Sequence, residues 1–344
     1  MSKIYFLPVK HGDAFIIECN RGDTQGLVVV DGGPRCCGFE LKRKLNELGT
    51  PELMVLTHYD EDHIGGILQL VDTCLDDNTI PAKEVWANCA GYVEVAASKC
   101  TTAAQGVMLS VRLNELKEKS GMVWRDDLSE GYKSDLPFAS IEVVAPTAAI
   151  KGMAIKKQEE EGKQQLNATP MNTENIEKSL NELAQYIPPI PNLKKDSELA
   201  NASSIAFILT CDNLSVLMLG DSYPQSVERY LREVKGCSEE KPLVVDYVKV
   251  SHHGSKNNTS SSLLDIIQCD KFIISTDGGK GHSNHPDRTA IAHILCHSKR
   301  NMNRKVHLYF NHNMDLIKTN GAPFLKEGED EKWNFEVHDN TTEL

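Results

Sequence analysis

The chain has 344 residues, 40% hydrophobic and 25% charged, a balance that suits a globular protein with a sizeable core. Its net charge of -12 argues against a general electrostatic grip on nucleic acid, which needs clustered Lys and Arg, but does not exclude a nucleic-acid substrate, because a bound metal can bring local positive charge to an acidic surface. No apolar run approaches the ~20 residues of a membrane span, and the N-terminal apolar stretch is too short for a signal segment; the expectation is a cytoplasmic protein, its ten cysteines reduced, with no membrane partner.

Residues 3–9 and 14–19 predict strands joined by a turn at Gly12-Asp13. Leu27-Val-Val-Val-Asp31 is a β-branched run ending in Gly32-Gly33. Leu41, Leu45 and Leu48 share one helical face, with Gly49 as the stop signal. Leu53–Thr57 predicts a short strand running directly into His58-Tyr-Asp60-Glu-Asp62-His63, and a helix is expected over 64–71. Further strands are expected at 84–88 and 141–145, with a helix near 108–119 between them. Residues 150–200, rich in Lys, Glu, Gln and Asn, are expected to form an inserted helical excursion with a mobile loop. A hairpin turning at Asp212-Asn213 joins 204–210 to 215–219. A helix near 224–235, a strand at 244–250, a strand at 271–275, a helix near 287–298 and a strand at 305–310 complete the pattern. Two halves, each giving strands and then helices, predict an α/β protein: a four-layer αββα sandwich in a single domain over 1–344.

The strongest chemical signal is His58-x-Asp60-x-Asp62-His63, four potential metal ligands within six residues after an apolar strand. A turn at a strand end anchors such side chains while exposing them. Positions 58, 60 and 62 alternate and are expected to project together, with His63 pointing elsewhere, an arrangement suited to two cations about 3.5–4 Å apart. The competing explanation, a solvated acidic turn, accounts poorly for two histidines beside Gly65-Gly66.

This segment resembles the signature of the metallo-β-lactamase superfamily, usually His-x-His-x-Asp-His, with Asp60 where the second His usually stands. The variant is similar to the hydrolase domain of bacterial DNA-uptake (competence) proteins. Gly12-Asp13, Asp31-Gly-Gly33, Asn201-x-x-Ser204, Gly220-Asp221, His252-His-Gly-Ser255 and His285-Pro286 follow in the order that the resemblance implies. By position it implies that His58 and Asp60 hold one metal and that Asp62 and His63 hold the other. Asp221 bridges the two, and His252 or His253 is the late ligand. Asp31 is expected either to orient a ligand histidine or simply to form its turn. His285, Ser255 and Lys256 are candidates to meet an anionic substrate, with His285 protonating the leaving group. His11, His282, His293, His297, His307 and His312 are expected to be structural or solvated.

No His occurs between residues 190 and 220, where many relatives carry one, so the ligand set is oxygen-rich. Oxygen donors suit Mn²⁺ and imidazoles suit Zn²⁺, leaving one or two ions of either metal. The expected activity is hydrolysis by a metal-activated hydroxide, with Asp62 orienting the nucleophile. Phosphodiesters, in a nucleic acid or a small anionic nucleotide, are the first expectation. Carboxylic ester, thioester or lactone hydrolysis and a non-catalytic metal-binding module are the alternatives.

Overall fold

The computed structural model describes residues 1–90, 102–161, 178–278, 285–319 and 322–344. Strands β1 (Lys3–Phe6), β2 (Phe15–Arg21), β3 (Thr24–Val30), β4 (Leu53–Val55), β5 (Glu84–Trp86) and β6 (Val123–Arg125) form one sheet, in that spatial order. The second sheet contains β7 (Lys133–Leu136), β8 (Ala139–Ala145), β9 (Ala206–Cys211) and β10 (Leu214–Met218). After the two-residue β11 (Leu243–Val244) it adds β12 (Tyr247–Lys249), and after β13 (Ile267–Gln268) it adds β14 (Lys271–Ile274) and β15 (Val306–Phe310). Beyond the ribbon of β16 (Lys318–Thr319) and β17 (Ala322–Pro323), β18 (Phe335–His338) completes it, in the order β18-β15-β14-β12-β10-β9-β8-β7.

The period-2 alternation of each strand divides its apolar residues between two cores. Ile4 and Phe6, Phe15 and Ile17, and Val28 and Val30 meet Phe207, Leu209, Val216 and Met218 in a layer between the sheets. Tyr5, Ile16, Leu27 and Val29 face outward to α1 (Gly38–Leu48), α2 (Glu61–Asp77) and α3 (Thr102–Ser120). The outer face of the second sheet (Ile208, Leu217, Val248, Phe272) packs on α7 (Pro224–Glu233) and α9 (Arg288–Cys296). Each fully buried Val, Leu, Ile or Phe is worth about 1.5–3 kcal/mol, so a one-residue slip, which turns every side chain to the other face, is strongly disfavoured. These four layers are the αββα architecture that the sequence predicts.

Within 150–200, helices occupy Ala148–Glu161, Leu180–Leu183 and Asp196–Ala202, while 162–177 and His282 lie outside the described residues. Strands β6, β7 and β18 are additions to the sequence-based pattern; the first two are short and half-exposed, so no alternating apolar run marks them. Among the described residues, no helix is long and apolar enough to cross a membrane.

The expected helix at 64–71 starts earlier. Helix α2 begins at Glu61, with Asp60 as its N-cap residue and Glu61 and Asp62 in its first turn. Carboxylates are stabilised there by the helix dipole, which explains why the acidic run opens the helix instead of forming an extended turn. Three backbone bonds seat this turn: Asp13 N donates to Asp62 O, Gly32 N to His63 O and Gly66 N to Gly33 O, at 3.1, 2.9 and 2.8 Å. The contact requires glycine, because a Cβ on Gly66 would sit 2.0 Å from Gly32 O.

Candidate metal centre

The carboxyl ends of five strands converge here. Asp31 follows β3, Thr57 and His58 follow β4, Asp221 follows β10, His252 and His253 follow β12, and Ser275 follows β14. Helix α2 contributes Asp62 and His63. Strand ends in layered α/β proteins characteristically open onto ligand sites, because the loops there are free to vary while the strands fix their roots.

Asp221 is the hub. Its Oδ2 lies 3.7 Å from His58 Nε2, 3.7 Å from His252 Nε2 and 3.9 Å from His253 Nε2, and its Oδ1 lies 3.5 Å from His63 Nε2. Asp60 Oδ2 is 3.6 Å from His58 Nε2, and Asp62 Oδ2 is 3.2 Å from His253 Nε2. The seven metal-ligand candidates read from the sequence therefore meet at one place. Two donor triplets, His58–His63–Asp221 and Asp62–His63–His253, each bring their ligand atoms within 4.8 Å of one another. The expected alternation of 58, 60 and 62 does not hold. Asp62 lies on the helix, so it groups with His63 and His253, while Asp60 remains with His58.

The outer nitrogens of these rings are already engaged. His63 Nδ1 is 2.8 Å from Asp31 Oδ2, and Asp31 also accepts from Thr57 N and Thr57 Oγ1, both at 2.7 Å. The orienting role of Asp31 is thus realised along with its turn. His253 Nδ1 donates to Ser275 O at 2.9 Å; a carbonyl only accepts, so a neutral ring there has its lone pair on Nε2. His252 Nδ1 is 3.0 Å from Asn258 Oδ1. By contrast, His58 Nε2, His63 Nε2, His253 Nε2 and Asp221 Oδ1 are buried with no hydrogen-bond partner. Each such atom costs about 1–3 kcal/mol if left unsatisfied. Grouped in two overlapping triplets, they fit divalent cations, which would satisfy them together.

The electrostatics are consistent with a cation-seeking site. Burial alone would raise the Asp62 carboxyl, but His63 and His253 outweigh it and hold it well below the usual range. Burial works likewise against Asp221, which His252, His63 and His253 hold far down. In the opposite sense, burial would lower His63 and His253, yet the surrounding carboxylates raise both, His253 to about 9. His252 is the exception: burial dominates and lowers it to about 4.

Two residues were not read from the sequence as part of the site. Lys249, fully buried, pairs with Asp13 and donates to Gly220 O at 3.2 Å, and Asp13 Oδ1 in turn lies 3.4 Å from His253 Nδ1. Asp13, read only as a turn residue, is a buried support of the site. Burial works against its ionisation, but Lys249 and His253 lower it to about 2. The available signal was a lysine between Val248 and Val250 in an apolar strand, a position that only a buried partner makes tolerable. His252 and His253 both have left-handed backbone, φ 48° and 53°. Two such non-glycine residues cost about 1–3 kcal/mol each and persist where surrounding bonds fix them. That turn lets adjacent rings both reach Asp221.

Asn201 and Ser204 lie beside the cluster: Asn201 Nδ2 is 3.4 Å from His252 Nδ1, and Asp221 N donates to Ser204 Oγ at 3.1 Å. The His285 ring sits 4.9 Å from that of His252, with Nδ1 3.5 Å from Asp287 Oδ2. Ser255, a candidate to meet an anionic substrate, is buried, and its Oγ accepts from Asn257 N at 3.3 Å within its own turn. Lys256 is half-buried.

Two sheets with helices on both outer faces make a four-layer αββα sandwich, and the donor cluster lies at its strand ends. No protein-family model and no curated protein matches the chain. Among solved structures it is similar to Zn²⁺-bound PqqB from Methylobacterium extorquens, at 11% identity and a TM-score of 0.42 over 99% of each chain. It is also similar to a diphosphatase from the PhnP family, at 10% identity and 0.39 over 100% of this chain and 97% of that one. A long form RNase Z from yeast matches at 8% identity and 0.38 over 100% of this chain and 47% of its own. These likenesses are distant.

Proposed function

We propose that this chain is a metal-dependent hydrolase of phosphodiesters, acting as a nuclease or nucleotide phosphodiesterase. The observation that carries the reading is the clustering of unpartnered His58 Nε2, His63 Nε2 and His253 Nε2 about the Asp221 carboxylate. His58, Asp60, His252 and Asp221 would hold one cation, and Asp62, His63, His253 and Asp221 the other. Divalent cations, once bound there, would supply Lewis acidity and acidify a water to serve as nucleophile at neutral pH.

The chain's own residues do the rest. Asp31, Ser275 and Asn258 fix the ligand rings from behind, so no reorganisation is needed when substrate arrives. Asp62, whose side chain is 23% exposed, would orient the attacking oxygen. His285 stands at the rim beside His252 and would deliver a proton to the departing oxygen. The side chains of Asp60, Asp62 and His252 are 25%, 23% and 24% exposed, so the cluster opens to solvent. A purely structural metal site would be closed. Asp60 in place of an imidazole, and the absence of a further histidine between residues 190 and 220, raise the share of oxygen among the donors. That favours Mn²⁺ alongside Zn²⁺ and agrees with the resemblance to DNA-uptake hydrolase domains.

The test is hydrolysis of bis-p-nitrophenyl phosphate and p-nitrophenyl acetate by the full chain loaded with Zn²⁺ or Mn²⁺. Turnover of the diester, abolished in Asp62→Ala while circular dichroism is unchanged, is expected. Turnover of the carboxylic ester alone would replace this reading with an esterase. Turnover of neither would leave a metal-binding module.

A further inference from the structure

Away from Asp221, three donor side chains meet on the two outermost strands of the eight-stranded sheet. Strand β15 runs parallel to β18, with His307 opposite Glu336 and Tyr309 opposite His338. Val306, Leu308, Phe310 and Phe335 turn to the helix layer and are buried there. The pleat therefore sends His307, Tyr309, Glu336 and His338 to the other face. Over β9, β10 and β14 that face is covered by the six-stranded sheet, through Phe207, Val216 and Ile273; among the described residues, none from β15 or β18 joins that core. The sheet overhangs its partner here, and the donors are left at a half-exposed ledge.

On the ledge His307 Nδ1 and His338 Nε2 are 2.9 Å apart, and Glu336 Oε2 is 3.9 Å from the same Nδ1. One ligand atom from each of the three lies within 4.8 Å of the others. Two nitrogens bound tetrahedrally at 2.0–2.1 Å from zinc are about 3.3 Å apart, a few tenths of an ångström from the spacing present. Neighbours restrain the rings: His338 stacks on Tyr309 at 4.6 Å and 16°. Strand positions in a parallel pair are also less free than loop positions. We propose that His307, Glu336 and His338 form a second, peripheral site for a borderline transition-metal dication, Zn²⁺ foremost, distinct from the Asp221 cluster.

Two imidazoles and one carboxylate are a donor set that suits Zn²⁺ better than Mg²⁺ or Ca²⁺. Lys305 Nζ, 3.6 Å from Glu336 Oε2, is the competitor for the carboxylate. That pair is half-exposed, and exposed ion pairs are worth at most about 1 kcal/mol, little against metal coordination. A cation here would cross-link the edge strand β18 to β15.

Equilibrium dialysis with Zn²⁺ as the only metal tests this on wild type, His307→Ala/His338→Ala and Asp221→Ala. The double variant is expected to bind one equivalent fewer than wild type, and Asp221→Ala to keep that equivalent. Equal zinc in the double variant and wild type would overturn the proposal. If the double variant does not fold, anomalous scattering at the zinc edge from a soaked wild-type crystal decides. A peak between His307 and His338 supports the site, and an empty ledge overturns it.

Discussion

His63 Nδ1 lies 2.8 Å from Asp31 Oδ2, and neither residue reaches solvent. The carboxylate fixes the ring so that Nε2 faces Asp221. Removing its charge while keeping its shape should loosen that aim: Asp31→Asn is expected to stay folded and to lose about 10–100-fold in metal affinity. Competition with a chromogenic chelator measures this. Unchanged affinity would mean that the ring is held by packing alone.

Lys249 and Asp13 form a fully buried ion pair beneath the site. Removing one partner leaves a buried charge uncompensated, at a cost of about 3–5 kcal/mol, whereas removing both costs less. Lys249→Met is therefore expected to destabilise the chain by that amount in urea unfolding, and Asp13→Asn/Lys249→Met to recover part of the loss. Additive effects of the two substitutions would show that the pair is not coupled.

Gly66 faces Gly32 O so closely that a methyl group has no space. Gly66→Ala must push the start of α2 away from the Asp31-Gly-Gly turn, and overpacking of this kind costs about 1–3 kcal/mol or more. Because Asp62 and His63 ride on that turn of α2, metal occupancy should fall along with stability. Metal analysis of the purified variant checks this; full occupancy would contradict the seating role.

The cluster from His58 to His63, Asp221 and the histidine pair were visible because ligand types crowd at strand ends. The layers were visible because alternating runs such as Phe15–Cys19 and Ala206–Cys211 specify two buried faces. The boundary of α2 was misplaced because acidic residues read as a turn, when the helix dipole favours them at an N-terminus. Asp13 and Lys249 were missed because their roles depend on each other, across more than two hundred residues of chain. Their partners are set by topology, which no local pattern reports.

His293 is buried in α9, with Nδ1 2.8 Å from Ser261 Oγ, and burial with His297 nearby lowers it to about 4. The folded chain thus takes up this proton less readily than the unfolded chain. Its contribution to stability is complete above pH ~6.5 and is lost as pH falls toward 4. Between pH 7 and pH 5 the loss is about 2 kcal/mol. Urea unfolding at the two pH values should show wild type losing that much more stability than His293→Gln. Equal losses would remove His293 as the source.

The central claim is that Asp221 gathers the histidines around divalent cations. Metal titration of Asp221→Ala against wild type, with Zn²⁺ and with Mn²⁺, tests it most directly. The account predicts that the tightest class of bound cation in wild type disappears in the variant while circular dichroism is preserved. A variant that retains that class at full affinity would contradict it.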